Sequence, residues 1–110
     1  IRNASNVITP KSNGTGLMHT RMLVSNMPSK SNIEDFLNEY ILNVTPEFKS
    51  DAKIVNSVNV FNDTVIIDLR ASYFDYFFKK NLTQEEEYAI IYSLITTACT
   101  FTGAKKVQIL

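Results

Sequence analysis

The side chains able to do chemistry are few and scattered. His19 is the only histidine and Cys99 the only cysteine. Zinc ligation, a Cys-His pair and a Ser-His-Asp arrangement would therefore each need partners that no local spacing supplies. There is no G-x-S-x-G and no H-E-x-x-H, the frames that present a serine nucleophile or a catalytic zinc. Asp63, Asp68 and Asp75 lack the spacing of a calcium loop and suit a turn, the solvent side of a strand and an aromatic run. The three glycines, Gly14, Gly16 and Gly103, form neither G-x-G-x-x-G nor a P-loop, so a phosphate cradle is not expected. The expectation is a non-enzyme with no catalytic residue, no metal and no cofactor.

Composition narrows the partners. The 110 residues are 45% apolar, enough for one two-layer core. Eleven basic residues balance eleven acidic ones, which removes the electrostatic footprint of a nucleic-acid binder. A G-x-x-G loop and an aromatic RNP strand are missing as well, so no nucleic acid is expected. A single cysteine excludes an internal disulfide. The uncharged run 88–104 is broken by Tyr92, Ser93, Thr96, Thr97, Thr100 and Thr102, a poor composition for a membrane span. Residues 1–5 lack the charged start and apolar run of a signal peptide. Five N-x-S/T triplets begin at Asn3, Asn13, Asn43, Asn62 and Asn81, and in so asparagine-rich a chain they carry little weight for glycosylation.

The elements follow from capping and periodicity. Thr83 and Glu86 form a capping box, with Glu85, Glu86 and Glu87 on the positive end of the helix dipole, and Gly103 suits the left-handed C′ position. This predicts a helix over 83–102. Its widest apolar arc holds Tyr88, Ile90, Ile91, Tyr92, Leu94, Ile95, Ala98, Cys99 and Phe101, and is expected to be buried. A second capping box at Ser31 and Glu34, with apolar residues from Ile33 to Val44 at three- and four-residue spacing, predicts a helix over 31–44, ended by Thr45-Pro46. Alternation over 54–61 and 64–69 predicts a hairpin turning at Asn62-Asp63, in which Val60 faces Val65 and Val58 faces Ile67. A short helical turn in the aromatic run 73–78, a strand over 106–110 and another over 17–24 complete the order. Residues 1–16 read as a flexible leading segment or loose hairpin arm.

The outward side of the long helix is the anomaly. Beyond the first turn it would consist of Ala89, Ser93, Thr96, Thr97 and Thr100, where a solvated helix carries Lys, Glu or Gln. A small uncharged face admits another surface without stripping water from charges. Cover by the N-terminal segment explains the same composition. Leu42, out of place on the polar side of its helix, and Tyr76 are further contact candidates.

Over 58–110 the chain resembles the GerM (GerMN) domain of bacterial sporulation, germination and envelope proteins. The likeness is carried by Thr64-Val65-Ile66-Ile67-Asp68-Leu69 leading to Phe74, by Ile91-x-Ser93-Leu94-Ile95-x-Thr97, and by Phe101-x-Gly103-Ala104-x-x-Val107-x-Ile109. Arg21 and the helix over 31–44 match its N-terminal half. Asn43-Val44-Thr45-Pro46 departs from the Gly-Pro that often ends the family's first helix. The resemblance implies a domain over 17–110 similar to ring-building motifs, non-catalytic and extracytoplasmic, held in the bacterial cell envelope as a lipoprotein or by an anchor outside this chain. It implies protein partners, either a second copy or another envelope protein.

The expected fold is α+β, with two helices on one face of a small mixed sheet (an α-β-β-α-β core with an extra N-terminal strand). The expected function is protein association through Leu42, Tyr76, Ala89, Ser93, Thr96, Thr97 and Thr100. The alternative is a small-molecule or peptidoglycan-binding domain that stacks ligand on the aromatics of 73–78.

Overall fold

The computed structural model describes residues 3–48 and 53–110. Two sheets flank a pair of helices. Strands β1 (Asn3–Pro10) and β2 (Leu17–Val24) form an antiparallel hairpin. After a 3-10 turn at Lys30–Asn32 comes α1 (Ile33–Val44). Strands β3 (Val55–Phe61) and β4 (Thr64–Leu69), helices α2 (Ala71–Lys80) and α3 (Gln84–Thr102), and strand β5 (Lys106–Ile109) follow in order. The second sheet runs β3-β4-β5, antiparallel between β3 and β4 and parallel between β4 and β5. α1 and α3 touch each other and lie on this mixed sheet, so the fold is α+β as the patterning implies.

The hairpin of the mixed sheet has the register that residue pairing dictates. Val60 faces Val65, Val58 faces Ile67, and Asn62 turns the chain at φ +56°. A bulge at Asn56 lets Val55 pair with Leu69, which keeps both on the buried side. β5 continues the same face, pairing Val107 with Val65 and Ile109 with Ile67. The inner rows of this sheet, with Phe36, Leu37, Tyr40 and Ile41 of α1 and Leu94 and Ala98 of α3, make the core.

Two local expectations are corrected. The polar turn before α1 is closed by Ser29 and Asn32, whose side chain accepts from Ser29 N at 2.7 Å, while Glu34 instead reaches Lys53 at 2.8 Å. Asparagine binds the turn at shorter range than Ser31 and Glu34, so the cap moves upstream. The leading segment is also no loose arm from Asn3 onward. It is a paired strand whose partner, β2, belongs to its own two-stranded sheet and not to the mixed one. Two glycines at positive φ, Gly14 at +86° and Gly16 at +79°, shape the loop between β1 and β2. A Cβ on Gly14 would stand 3.0 Å from Glu86 Oε2, so the loop rests directly on the first turn of α3.

Candidate functional site

α3 starts where its cap requires. Glu86 N donates to Thr83 Oγ1 at 3.1 Å and Thr83 N donates to Glu86 Oε1 at 3.0 Å. These bonds, that to the backbone N–H first, hold the Glu86 carboxyl below its ordinary range. The helix ends at Gly103, φ +74°, whose N–H reaches Cys99 O at 2.9 Å.

The side of α3 that is buried is not the side with the most carbon. Ala89, Ser93 and Thr97 are within the structure, at 4%, 0% and 1% exposure, because β1 crosses the helix on this row. Small residues at i, i+4 and i+8 let a strand backbone come close. At the centre the Thr97 hydroxyl accepts from Ile8 N at 3.3 Å and donates to Ile8 O at 3.2 Å. The Tyr40 hydroxyl donates to the same carbonyl. Two helices thus supply the hydrogen bonds that the open edge of β1 lacks. Burial pushes the Tyr40 phenol well above its usual range, with the Thr97 hydroxyl pulling the other way. Ser93 Oγ, equally buried, makes no hydrogen bond of good geometry.

Ala89, Ser93 and Thr97 are therefore corrected from contact residues to packing residues. Thr96 and Thr100 stay exposed. The helix is turned by roughly a quarter of its circumference from the orientation that hydrophobicity alone selects. This brings part of the apolar arc to the surface: Tyr88 and Tyr92 are 49% and 53% exposed, and Ile91, Ile95 and Cys99 are half-buried. Tyr88 and Tyr92 touch ring to ring, with centroids 5.7 Å apart. From Tyr88 to Thr100 the exposed side of α3 holds no charged residue, whereas a helix facing water normally carries several. Cys99 sits within it, its thiol pushed up by burial, a direction opposite to that of a reactive thiolate.

The other candidates are spread out. Leu42 is exposed on α1, on the rim of an open depression of about 400 Å³ that also meets Asn26, Asp35, Asn38 and Ile54. Asn38 is committed there, its Oδ1 accepting from Ile54 N at 3.0 Å and Val55 N at 2.9 Å. Tyr76 belongs to an aromatic cluster with Phe48, Tyr73 and Phe77. Its ring lies parallel to Tyr73, its hydroxyl donates to Glu47, and Lys80 Nζ stands 5.9 Å over it. Burial pushes the Tyr73 phenol up to about 12. These rings hold α2 to the molecule, and Tyr73 and Phe77 are buried; only Phe74 and Phe78 point outward from the run. A larger open groove of about 680 Å³, between the β1–β2 loop, the second half of β2, the end of α1 and the start of α3, includes Lys11, Arg21, Glu39 and Glu86.

His19 is exposed on β2, Asp63 occupies the β3–β4 turn and Asp75 is exposed on α2. Asp63 O accepts from Lys105 N at 2.7 Å and Lys106 N at 3.1 Å, which ties the turn to the start of β5. Among the described residues, no three of His, Cys, Asp and Glu converge, and no helix is long and apolar enough to cross a membrane.

A family model for the Germane domain, described as sporulation and spore germination, matches residues 9–110. The chain belongs to the Germane family. No curated protein and no solved structure gives a significant match. The matched region takes in the whole of β2, both core helices and the mixed sheet, and starts inside β1. Germane is a sporulation and germination family not known as enzymatic.

The exposed tyrosines, with the half-buried isoleucines beside them, escape a reading based on hydrophobic periodicity. Their signal was nevertheless in the sequence, as a row of Ala, Ser and Thr four residues apart opposite a strand with an unpaired edge.

Proposed function

We propose that this Germane domain is a non-catalytic assembly module of the bacterial cell envelope, acting in sporulation or germination outside the cytoplasm. It associates with protein partners in the manner of GerM and ring-building-motif domains. One observation carries the reading: the solvent side of α3 runs from Tyr88 to Thr100 without a charge and with two half-exposed tyrosines. Such a face costs little to desolvate and offers aromatic anchors of the kind that dominate interfaces. Leu42 and Phe78 extend the exposed apolar surface elsewhere, as secondary contacts.

The test is complementation in the native host with Tyr92→Lys and, separately, Thr100→Lys, both on the exposed side. Impaired sporulation or germination with normal protein level supports the reading, and wild-type performance by both variants refutes it. The ligand-stacking alternative is not favoured, because the rings of Tyr73, Tyr76 and Phe77 already pack on one another.

A further inference from the structure

We propose that the outer face of α3 is covered by a second copy of this chain, with the two helices antiparallel. The inference rests on the reading of that face as an interaction surface and names its partner. Tyr88, Tyr92, Ile95 and Cys99 recur at four, three and four residues, the spacing of a two-helix seam.

Their sizes fix the direction. In an antiparallel pair about a dyad between Tyr92 and Ile95, Tyr88 meets the second copy's Cys99 and Tyr92 meets the second copy's Ile95. Each layer then joins one large and one smaller side chain, so the helix axes stay evenly spaced. A parallel pair would stack tyrosine on tyrosine at one end and cysteine on cysteine at the other, which wedges the axes apart.

Charge selects the same direction. The first turn of α3 carries Glu85, Glu86 and Glu87, and exposed Lys105 and Lys106 follow directly after its end. Antiparallel copies bring the acidic end of each helix to the basic end of the other, twice by symmetry. Parallel copies would oppose like charges.

The experiment is sedimentation equilibrium of the purified chain at high micromolar concentration, with disulfide trapping. The wild type is expected to show twice the chain mass, and Tyr92→Lys to shift it to monomer while keeping the folded circular-dichroism spectrum and a cooperative melt, equal to that of the wild type once both are diluted to where neither associates. Ile95→Lys serves the same purpose should the first variant unfold. Glu85→Lys with Glu87→Lys should weaken the dimer by about tenfold, and adding Lys105→Glu with Lys106→Glu should restore it. Under mild oxidation Tyr88→Cys should cross-link efficiently to the native Cys99 of the second copy. Wild-type Cys99 should not cross-link to itself, because the two sulfurs stand about 16 Å apart along the axis. A monomeric wild type, or efficient Cys99 to Cys99 linkage, overturns the proposal. A monomeric wild type together with loss of complementation by Tyr92→Lys leaves the surface to a different protein, so the failure of the dimer is distinguishable from failure of the interaction reading.

Discussion

Thr97→Val isolates the hydroxyl that joins the hairpin to the helices. Valine keeps the volume and the branching of threonine, and the site is 1% exposed, so packing changes little. What is lost is the acceptor for Ile8 N at 3.3 Å and a donor to Ile8 O at 3.2 Å. The carbonyl keeps the Tyr40 hydroxyl, and the N–H is left without a partner. An orphaned buried amide costs about 1–3 kcal/mol; Ile8 is only half-buried, which places this one at about 1–2 kcal/mol. Unfolding entropy of about 2.1 cal/mol/K per residue over 110 residues is about 0.23 kcal/mol/K. Tm should therefore fall by about 4–9 °C, with the urea m-value unchanged. The assay is thermal and urea unfolding followed by circular dichroism, with Thr100→Val as the comparison. That exposed hydroxyl donates only to Thr96 O, one turn back, at 2.8 Å, and its loss should stay within about 0.5 kcal/mol. Equal stability of the two variants would refute the assignment of Thr97 as the tie to β1. Thr97→Glu would put a charge into the same buried site and is expected to unfold the domain.

Ser93→Ala should be neutral or stabilising by up to about 1 kcal/mol in the same melts, because its buried oxygen makes no hydrogen bond of good geometry. Thr83→Ala removes the capping acceptor of Glu86 N and should cost about 1 kcal/mol, with helix fraying visible in amide exchange of the first turn of α3. Gly103→Ala meets no atom within 4 Å but must hold φ +74°, so the cost should be backbone strain alone, about 1 kcal/mol. Alkali should unfold the domain. Tyr73 titrates near 12 when folded and near 10.0 when free. Its stabilisation is therefore complete below pH 10 and is lost as pH rises through 10 to 12, a fall of about 3 kcal/mol in all. Tyr73→Phe should flatten the fall in stability measured by urea titration across that window.

Much of the fold was legible because local signals agree with one another. The Asn62 turn, the facing valines of β3 and β4, the Thr83–Glu86 cap and Gly103 each act within a few residues, and the structure keeps all of them. What was hidden depends on a neighbour far along the chain. Hydrophobicity turns α3 toward its isoleucines and tyrosines, but a strand backbone with open N–H and C=O groups needs small residues and a hydroxyl. The orientation of α3 was settled by that need, which moved Ala89, Ser93 and Thr97 inside and Tyr88 and Tyr92 out. For α1, Asn32 competed with Ser31 for the same turn and prevailed. Of the contact residues proposed from pattern, Thr96, Thr100 and Leu42 remain on the surface, while Tyr76 serves the aromatic cluster that seats α2.

Ile8 and Thr97 are 89 residues apart, and this separation orders events in time. The hairpin closes early from neighbouring residues, but the outer edge of its first strand has no complement until the last helix docks. In that interval the strand is an exposed template, open to the same edge of another folding molecule. Thr97 and Tyr40 arrive as a latch, and a substitution that slows the docking of α3 should make the chain aggregate through β1 before it loses any stability at equilibrium.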